Sequence, residues 1–322
     1  MHINWTKKIG DKGIHNAFTD LCEFKEQLFC CYREAKNHVS ADGSIRIVTS
    51  DLSGKQIGSL KLSEPNTDLR DPKLSITPKG NLLLIAYARL TDINNKTLST
   101  RNLCWVSQTG KSWSSNTEFA DKGWWLWRVK WLNDMAYGFA YNRRANAINL
   151  YKGHPKRSFH LHQPSVLSLA KHNKGYPNES DLVFINNTAF ALVRRDADTY
   201  SAQLGVSHFP YKKWQWTDLK AYIGGPAMLK INENTLLIAG RVVQGKQLVT
   251  GLLSLNIDTL KANKLNVVSK LLKLHTILPS SGDNSYPGLV LKNGSLYVSY
   301  YSSHESNKTN VYLSKLNVSQ FL

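Results

Sequence analysis

Acidic residues are scarce in this chain: 23 Asp and Glu stand against 41 Lys and Arg, which gives a formal net charge of +18. The hydrophobic fraction of 42% excludes wholesale disorder and allows a substantial core. The charge surplus favours an anionic partner, namely nucleic acid, anionic lipid or an acidic glycan. Because the positive charges are spread along the chain without an RNA-binding signature or a zinc finger, nucleic acid is the weaker expectation.

Cysteine is also rare, and its pattern argues against a disulfide framework. The four residues, Cys22, Cys30, Cys31 and Cys104, lack metal-ligand spacing, and Cys30 and Cys31 fall within an apolar, strand-like run. No phosphate loop and no Ser-His-Asp arrangement with recognisable spacing occurs. We therefore expect no cofactor and no metal site.

Long apolar runs are missing. The longest, from Leu82 to Ala88, is far too short to span a bilayer, and the N-terminus lacks an apolar stretch of signal-peptide length. The sequence therefore predicts no membrane span. We expect a soluble monomer that is either cytoplasmic or secreted with its leader absent from this chain.

One strand-like pattern recurs six times: a polar or Gly/Asn turn, an apolar run, and very often an arginine. Its matched apolar positions are separated by 55, 52, 54, 47 and 60 residues; they are Leu28, Leu83, Met135, Ala189, Leu236 and Leu296. Two stacked β-sandwiches would not require a regular sequence repeat, whereas a four-stranded propeller blade has a repeat of this length. The sequence predicts an all-β, six-bladed propeller of four-stranded antiparallel blades in one domain, 1–322. Pairing of an N-terminal strand with residues Asn310 to Leu316 would close the ring.

Three short polar segments are candidate turns. Val106 to Trp113 reads VSQTGKSW, and the segments SDLSGKQI from Ser50 and SHFPYKKW from Ser207 are more degraded. The first resembles the Asp-box of the sialidase superfamily, Ser-x-Asp-x-Gly-x-Thr-Trp, in its Gly, its hydroxyl and its Trp. This resemblance implies the same six-bladed fold, with these turns between the outer strands of their blades.

A second resemblance to sialidases concerns the order of possible catalytic residues. Glu179 precedes a segment that ends at Arg194, Arg241 ends the next repeat, and Tyr286 opens a hairpin in the last one. The resemblance implies that Tyr286 is the nucleophile of a retaining glycoside hydrolase and that Glu179 is its base. Arg194 and Arg241 would bind the carboxylate of an acidic sugar.

The first two repeats carry further matches to that family. Arg33 ends the first repeat, and Arg70-Asp71-Pro72 matches an Asp-Pro that opens the second blade. The resemblance implies that Arg33, Arg70 and Asp71 contact substrate. Compact polar turns suggest loop-built ligand contacts as well; they are Gly224 to Pro226, Ser281 to Asp283, and Ser302 to Glu305, which contributes His304 and Glu305 as candidate binding residues.

The chain departs from the sialidase pattern in two places. The family's Arg-Ile-Pro motif, whose Arg grips the sialic acid carboxylate, corresponds to His15 to Leu21, which contains no Arg. The acid/base Asp of the family lies on a loop that here offers His38 and Asp42. We expect His38 or Asp42 to be the proton donor, with Asp20 as an outside candidate for that role and as a possible sugar contact.

Several functions remain open at this point. The leading one is a sialidase-like exo-glycosidase that acts on a carboxylated glycan. In a second hypothesis the protein is a polysaccharide lyase, with Tyr286 as base and His38 as acid. In a third it is a non-catalytic propeller that binds glycans or proteins. A hydrolase requires Glu179 within hydrogen-bond reach of the Tyr286 hydroxyl, with Arg194 and Arg241 at the same axial hollow.

Overall fold

The computed structural model describes residues 2–257 and 272–321, which form six four-stranded antiparallel sheets. The first three sheets follow one another along the chain. Blade 1 consists of β2 (His15–Phe24), β3 (Gln27–Ala35), β4 (Ser44–Ser50) and β5 (Gln56–Leu62). Blade 2 consists of β6 (Thr67–Ile76), β7 (Leu82–Thr91), β8 (Thr97–Ser107) and β9 (Thr117–Phe119). Blade 3 consists of β10 (Trp125–Leu132), β11 (Met135–Asn142), β12 (Ala147–His154) and β13 (Ser158–Ser168).

The remaining sheets complete the ring, and a short helix, α1 (Leu169–His172), follows β13. Blade 4 consists of β14 (Pro177–Ile185), β15 (Thr188–Arg195), β16 (Gln203–His208) and β17 (Gln215–Asp218). Blade 5 consists of β18 (Gly224–Asn232), β19 (Thr235–Gln244), β20 (Gln247–Asn256) and β21 (Leu272–Ile277). Blade 6 consists of β22 (Asn284–Lys292), β23 (Ser295–Ser302), β24 (Asn310–Asn317) and β1 (Ile3–Gly10), and a 3-10 turn spans Val318–Phe321.

The predicted repeat and the predicted closure are both confirmed. All six repeats form the second strand of successive blades, and β1 pairs antiparallel with β24, with Ile3 opposite Leu316 and Lys7 opposite Leu313. The first strands of the blades contact one another in a closed ring, β2 to β6, β10, β14, β18, β22 and back to β2. These strands therefore surround the axis. Within residues 2–257 and 272–321, no helix has the length and hydropathy needed to cross a bilayer.

Each first strand contains a bulge where its pairing with the second strand shifts. Bulges interrupt the ladder and redirect side chains, which is why they are common beside active sites. Several bulged residues have positive φ, including Phe18 (61°), Asp71 (48°) and Tyr286 (50°). One corresponding residue lies within each of the six bulges: Phe18, Asp71, Trp127, Glu179, Gly225 and Tyr286.

Buried carboxylates connect first strands across blade boundaries. Asp20 on β2 accepts a hydrogen bond from the Leu74 amide on β6 (2.8 Å) and pairs with Arg128 on β10 (2.6 Å). Asp181 on β14 accepts from the Met228 amide on β18 (2.7 Å). Because Asp20 is fully buried and held by these partners, its prediction as a proton donor or sugar contact is wrong.

The three Asp-box-like segments all lie between the third and fourth strands of their blades, which are the two outer strands. The clearest segment follows β8, and within it Gly110 has φ of 77° and its amide donates to the Ser107 hydroxyl at 2.7 Å. The segment from Ser50 joins β4 to β5, and the one from Ser207 joins β16 to β17. The position predicted for these turns is therefore correct.

Candidate active site

Tyr286 and Glu179 meet at the axis although 107 residues separate them. The Tyr286 hydroxyl donates a hydrogen bond to Glu179 Oε1 at 2.7 Å, so the predicted contact is present. Arg194 Nη1 donates to Glu179 Oε2 at 2.5 Å and to the Tyr286 hydroxyl at 3.0 Å. The Gly225 amide adds a hydrogen bond to Glu179 Oε2 at 3.1 Å. A phenol, a carboxylate and a guanidinium thus form one hydrogen-bonded cluster.

The charges around this cluster keep Glu179 ionised and Tyr286 neutral. Burial alone raises the pKa of Glu179, but Arg194 and the Tyr286 hydrogen bond outweigh burial and hold that pKa below its usual value. Burial, with the nearby Glu179 charge, holds the pKa of Tyr286 well above its usual value despite Arg194 and Arg241. At neutral pH the phenol therefore carries its proton and the carboxylate is free to accept it.

Arg241 lies over the ring of Tyr286. Its guanidinium carbon is 5.6 Å from the centre of the Tyr286 ring, and its Nε donates to the Asn284 carbonyl at 2.9 Å. Its Nη2 contacts Asp283 Oδ1 (3.4 Å) and the Tyr301 hydroxyl (3.2 Å). Tyr301 in turn donates to Asp283 Oδ1 at 2.8 Å, so Arg241 is positioned by blade 6. The sequence prediction that Tyr286, Glu179, Arg194 and Arg241 share one hollow is confirmed.

Two other bulge residues complete the wall around the tyrosine. Phe18 occupies the bulge of β2, within the stretch where sialidases are expected to carry Arg-Ile-Pro, and its ring centre is 5.1 Å from that of Tyr286. Asp71 is buried with no partner for Oδ1, and burial raises its pKa to about 6 against the opposing charges of Lys73 and Arg70. An apolar ring and a buried carboxyl group therefore lie beside the cluster.

His38 belongs to a cluster that the sequence order does not reveal. His38 Nδ1 and His15 Nε2 lie 2.9 and 3.0 Å from the same oxygen, Asp283 Oδ2. Burial raises the pKa of Asp283, but hydrogen bonds from His15, His38 and Tyr301 outweigh it and hold that pKa well below its usual range. The ring of His38 contacts Phe18 edge-on with centres 5.1 Å apart. The ligand atoms of His15, His38 and Asp283 lie within 4.8 Å of one another, a spacing that would also suit a metal ion.

The predicted role of Arg33 is wrong. Its side chain is fully buried, and it donates to Asp68 Oδ1 (2.8 Å) and to the carbonyls of Asn37 (2.9 Å) and Ser40 (2.7 Å). Every nitrogen of this guanidinium is used inside the protein, so Arg33 supports the loop that carries His38 and does not contact ligand.

Asp42 also stabilises that loop, because its carboxylate oxygens accept from the Lys36 amide at 3.3 Å. Hydrogen bonds from this loop hold the pKa of Asp42 below its usual value although burial opposes them, which disfavours Asp42 as an acid.

The turn after β23 does not join the cluster either. Glu305 pairs with Lys8 on β1 at 2.8 Å, and the His304 ring lies against Tyr312 with centres 4.8 Å apart. These contacts give His304 and Glu305 a structural explanation in place of the predicted sugar binding.

A cleft of about 810 Å³ opens beside the axial cluster, between blades 1, 2 and 3. His38, Arg70 and Tyr141 line it, and the charge of Glu179 contributes to raising the pKa of the buried Tyr141 hydroxyl, after burial itself. The cleft is also lined by Arg89, Arg143 and Arg144, none of which was predicted as a site residue. The repeat contained a signal for two of them, because Arg89 and Arg143 end the same pattern as Arg194 and Arg241.

No protein-family model and no curated protein sequence matches this chain. Its fold does match solved structures. A protein of unknown function from Dyadobacter fermentans DSM 18053 aligns over 98% of both chains with a TM-score of 0.80 and 16% identity. The NanB sialidase of Streptococcus pneumoniae aligns over 99% of this chain and 71% of its own, with a TM-score of 0.72 and 9% identity. An α-L-arabinanase of Penicillium chrysogenum aligns over 100% of both chains, with a TM-score of 0.73 and 14% identity.

At these identities the likeness establishes the fold alone. The chain has the six-bladed propeller architecture that sialidases and arabinanases share, as its turns and residue order predicted.

Proposed function

We propose that this protein is a retaining exo-glycosidase that acts on an acidic glycan, with Tyr286 as nucleophile and Glu179 as its base. The observation that carries the proposal is the 2.7 Å hydrogen bond from the Tyr286 hydroxyl to Glu179, with Arg194 touching both groups. A nucleophile joined to a base that is itself oriented by a third group is the arrangement covalent catalysis requires. That the fold is also found in sialidases and arabinanases supports the proposal further.

The two pKa shifts determine when the proton moves. Even between free side chains, transfer of a proton from tyrosine to glutamate is uphill by roughly 8 kcal/mol, and the shifts at this site widen that gap. A free phenolate is therefore rare, and the proton passes to Glu179 only as the new bond forms. A neutral nucleophile also avoids repelling an anionic sugar.

In the first step the Tyr286 oxygen bonds to the anomeric carbon, and the glycosidic bond breaks. The phenolic proton passes to Glu179, and His38 supplies a proton to the departing oxygen. In the second step His38 takes a proton from water as that water attacks the anomeric carbon. The tyrosine oxygen then leaves and recovers its proton from Glu179, so the configuration is retained.

His38 is the proton donor this proposal favours among the three predicted candidates. Asp20 and Asp42 are committed to structural contacts, whereas His38 is half-exposed, lines the cleft and is held by Asp283. A carboxylate that binds one ring nitrogen fixes the tautomer and orientation of the imidazole. Asp283 is then a positioning residue.

Two guanidinium groups remain able to bind an anion beside the tyrosine. Among the described residues, Arg194 Nη2 and Arg241 Nη1 have no hydrogen-bond partner, and each side chain is 14% exposed. A carboxylate held between them would lie next to Tyr286 in a partly dry hollow, where charge-assisted hydrogen bonds are strong.

The test is a panel of acidic oligosaccharides assayed with wild type, Tyr286→Phe and Tyr151→Phe. Tyr151 is the matched control, because its hydroxyl donates to Asp121 at 2.6 Å on blade 3. We expect Tyr286→Phe to lose at least about 10³-fold in kcat while remaining folded, and Tyr151→Phe to retain activity. Equal turnover by wild type and Tyr286→Phe would refute the proposal. No activity on any substrate would favour a binding protein.

The histidine cluster supports one alternative, elimination from a uronic acid with Tyr286 as base and His38 as acid. In that reaction Arg194 or Arg241 would neutralise the carboxylate and acidify the neighbouring carbon. The same panel separates the two reactions, since a lyase forms an unsaturated product that absorbs in the ultraviolet and consumes no water. A hydrolase forms a saturated reducing sugar.

A further inference from the structure

Four arginines line the cleft between blades 1, 2 and 3: Arg70, Arg89, Arg143 and Arg144, named here the arginine wall. Within the described residues, the wall pairs directly with a single carboxylate. Asp68 Oδ2 lies 3.1 Å from Arg70 and 3.2 Å from Arg89, and its other oxygen binds the buried Arg33. The wall therefore carries a large excess of positive charge.

The outer half of the wall is held in place by its own turn. Arg143 and Arg144 follow β11, and the Asn142 side chain accepts from the Ala145 amide (2.9 Å) and donates to the Gly123 carbonyl (3.0 Å). No acidic residue among those described pairs with Arg143 or Arg144, and both are exposed. The fixed turn spares the backbone an ordering cost on anion binding, and each guanidinium presents a planar fork of donors to the anion.

We infer that the arginine wall binds a second anionic group of the glycan, on the sugar next to the one held at Tyr286. This inference rests on the proposed function, from which it takes the position of the first sugar. His38 and Tyr141 lie both in the cleft and close to the axial cluster, so the two sites are continuous. The substrate class is an oligosaccharide with at least two carboxylate or sulfate groups.

The aromatic residues of the cleft favour a glycan over a nucleic acid. Trp125 stacks on Tyr87 with ring centres 4.0 Å apart and an interplanar angle of 7°, and it lies nearly parallel to Tyr141 with centres 5.5 Å apart and an angle of 14°. Tyr87 and Tyr141 are themselves 7% and 5% exposed. Single-stranded nucleic acids need open aromatic faces on which bases can stack. Tyr87 already covers one face of Trp125, and both tyrosines are nearly buried, so neither tyrosine offers an open face to a base.

Binding can be measured by fluorescence anisotropy with four labelled probes: a heparin-derived tetrasaccharide, tetragalacturonate, neutral maltotetraose and a single-stranded oligonucleotide. The test variant is Arg143→Ala/Arg144→Ala. The control is Lys212→Ala/Lys213→Ala, an adjacent exposed pair on the β16–β17 turn, whose loss lowers the net charge equally. Arg143→Lys/Arg144→Lys separates guanidinium geometry from charge and keeps the test interpretable if the alanine variant unfolds.

We expect the arginine variant to bind an acidic probe at least about tenfold more weakly, the control to change less than about twofold, and the lysine variant to be intermediate. A greater loss for tetragalacturonate would assign the group as carboxylate, and a greater loss for the heparin probe would assign it as sulfate. Equal weakening by both alanine variants would overturn the inference, because the attraction would then be diffuse. Preferential binding of a single-stranded oligonucleotide of equal charge, or of maltotetraose, would also overturn it.

Failure of the proposed function is a distinct result. Tyr286→Phe should bind the acidic probes like wild type, because binding requires no turnover. If that variant keeps full activity while Arg143→Ala/Arg144→Ala still loses binding, the catalytic proposal fails and the arginine wall stands. If turnover depends on Tyr286 but binding is insensitive to Arg143 and Arg144, only the arginine wall fails.

Discussion

Replacement of Asp68 by Asn should destabilise the propeller by about 3 to 5 kcal/mol, because this buried carboxylate is the counter-ion of the buried Arg33 and also pairs with two further arginines. Its oxygens lie 2.8 Å from Arg33, 3.1 Å from Arg70 and 3.2 Å from Arg89. The side chains of Asp68 and Arg33 are both 0% exposed. Removal of one partner of a buried pair typically costs this amount, since the remaining charge stays desolvated. Arg89, at 25% exposure, adds little.

The assay is equilibrium unfolding in urea with Glu118→Gln as the control. Glu118 also accepts from an arginine, Arg101, at 2.5 Å, but the two side chains are 43% and 32% exposed. An exposed pair contributes at most about 1 kcal/mol, so the control should unfold almost like wild type. A loss below about 1 kcal/mol for Asp68→Asn would refute the reasoning, because Arg33 would then not depend on Asp68.

Two further predictions concern the bulge residues. A Cβ at Gly225 would lie 2.8 Å from the Tyr286 ring, so Gly225→Ala should abolish turnover. Gly245 also has positive φ but has open space around it, so the control Gly245→Ala should keep turnover and lower the stability by only about 1 kcal/mol. Equal kcat values for the two variants would contradict the packing argument. Asp71 has a folded pKa of about 6, above the ordinary 3.8, so the folded state binds its proton more tightly than the unfolded state and this group stabilises the protein as the pH falls. Asp71→Asn should therefore be more stable than wild type at pH 8, by up to about 3 kcal/mol, and this advantage should vanish by about pH 4. The measurement is the free energy of unfolding in urea as a function of pH. If the curves of the two proteins ran parallel, the pKa of Asp71 would not be raised by folding.

Local sequence determines much of the propeller. The turn and strand signals around Leu28, Leu83 and the four later positions recur because each blade repeats the same hydrogen-bonding unit. Tyr286 and Glu179 could be placed because their order along the chain resembles that of sialidases, and a closed ring brings equivalent positions of the blades to one axis. The bulges that turn these side chains inward depend on pairing between strands and could not be assigned residue by residue.

The partners of charged residues could not be predicted in the same way. Arg33 matches its expected place in the repeat, yet Asp68 removes it from the ligand surface. Arg143 ends the same pattern but lies on an exposed turn without an acidic partner among the described residues, so it remains open to an anion. Burial and charge pairing arise from contacts between blades, and a single sequence does not specify which blade supplies the counter-ion.

Trapping of a glycosyl-enzyme intermediate tests the central claim most directly. The protein is incubated with a fluorinated, activated glycoside of whichever acidic sugar it cleaves, and the peptides are analysed by mass spectrometry. Our account predicts one added glycosyl group on Tyr286 in wild type and none in Tyr286→Phe. Turnover that inverts the anomeric configuration without any adduct, or an adduct on a different residue, would contradict it.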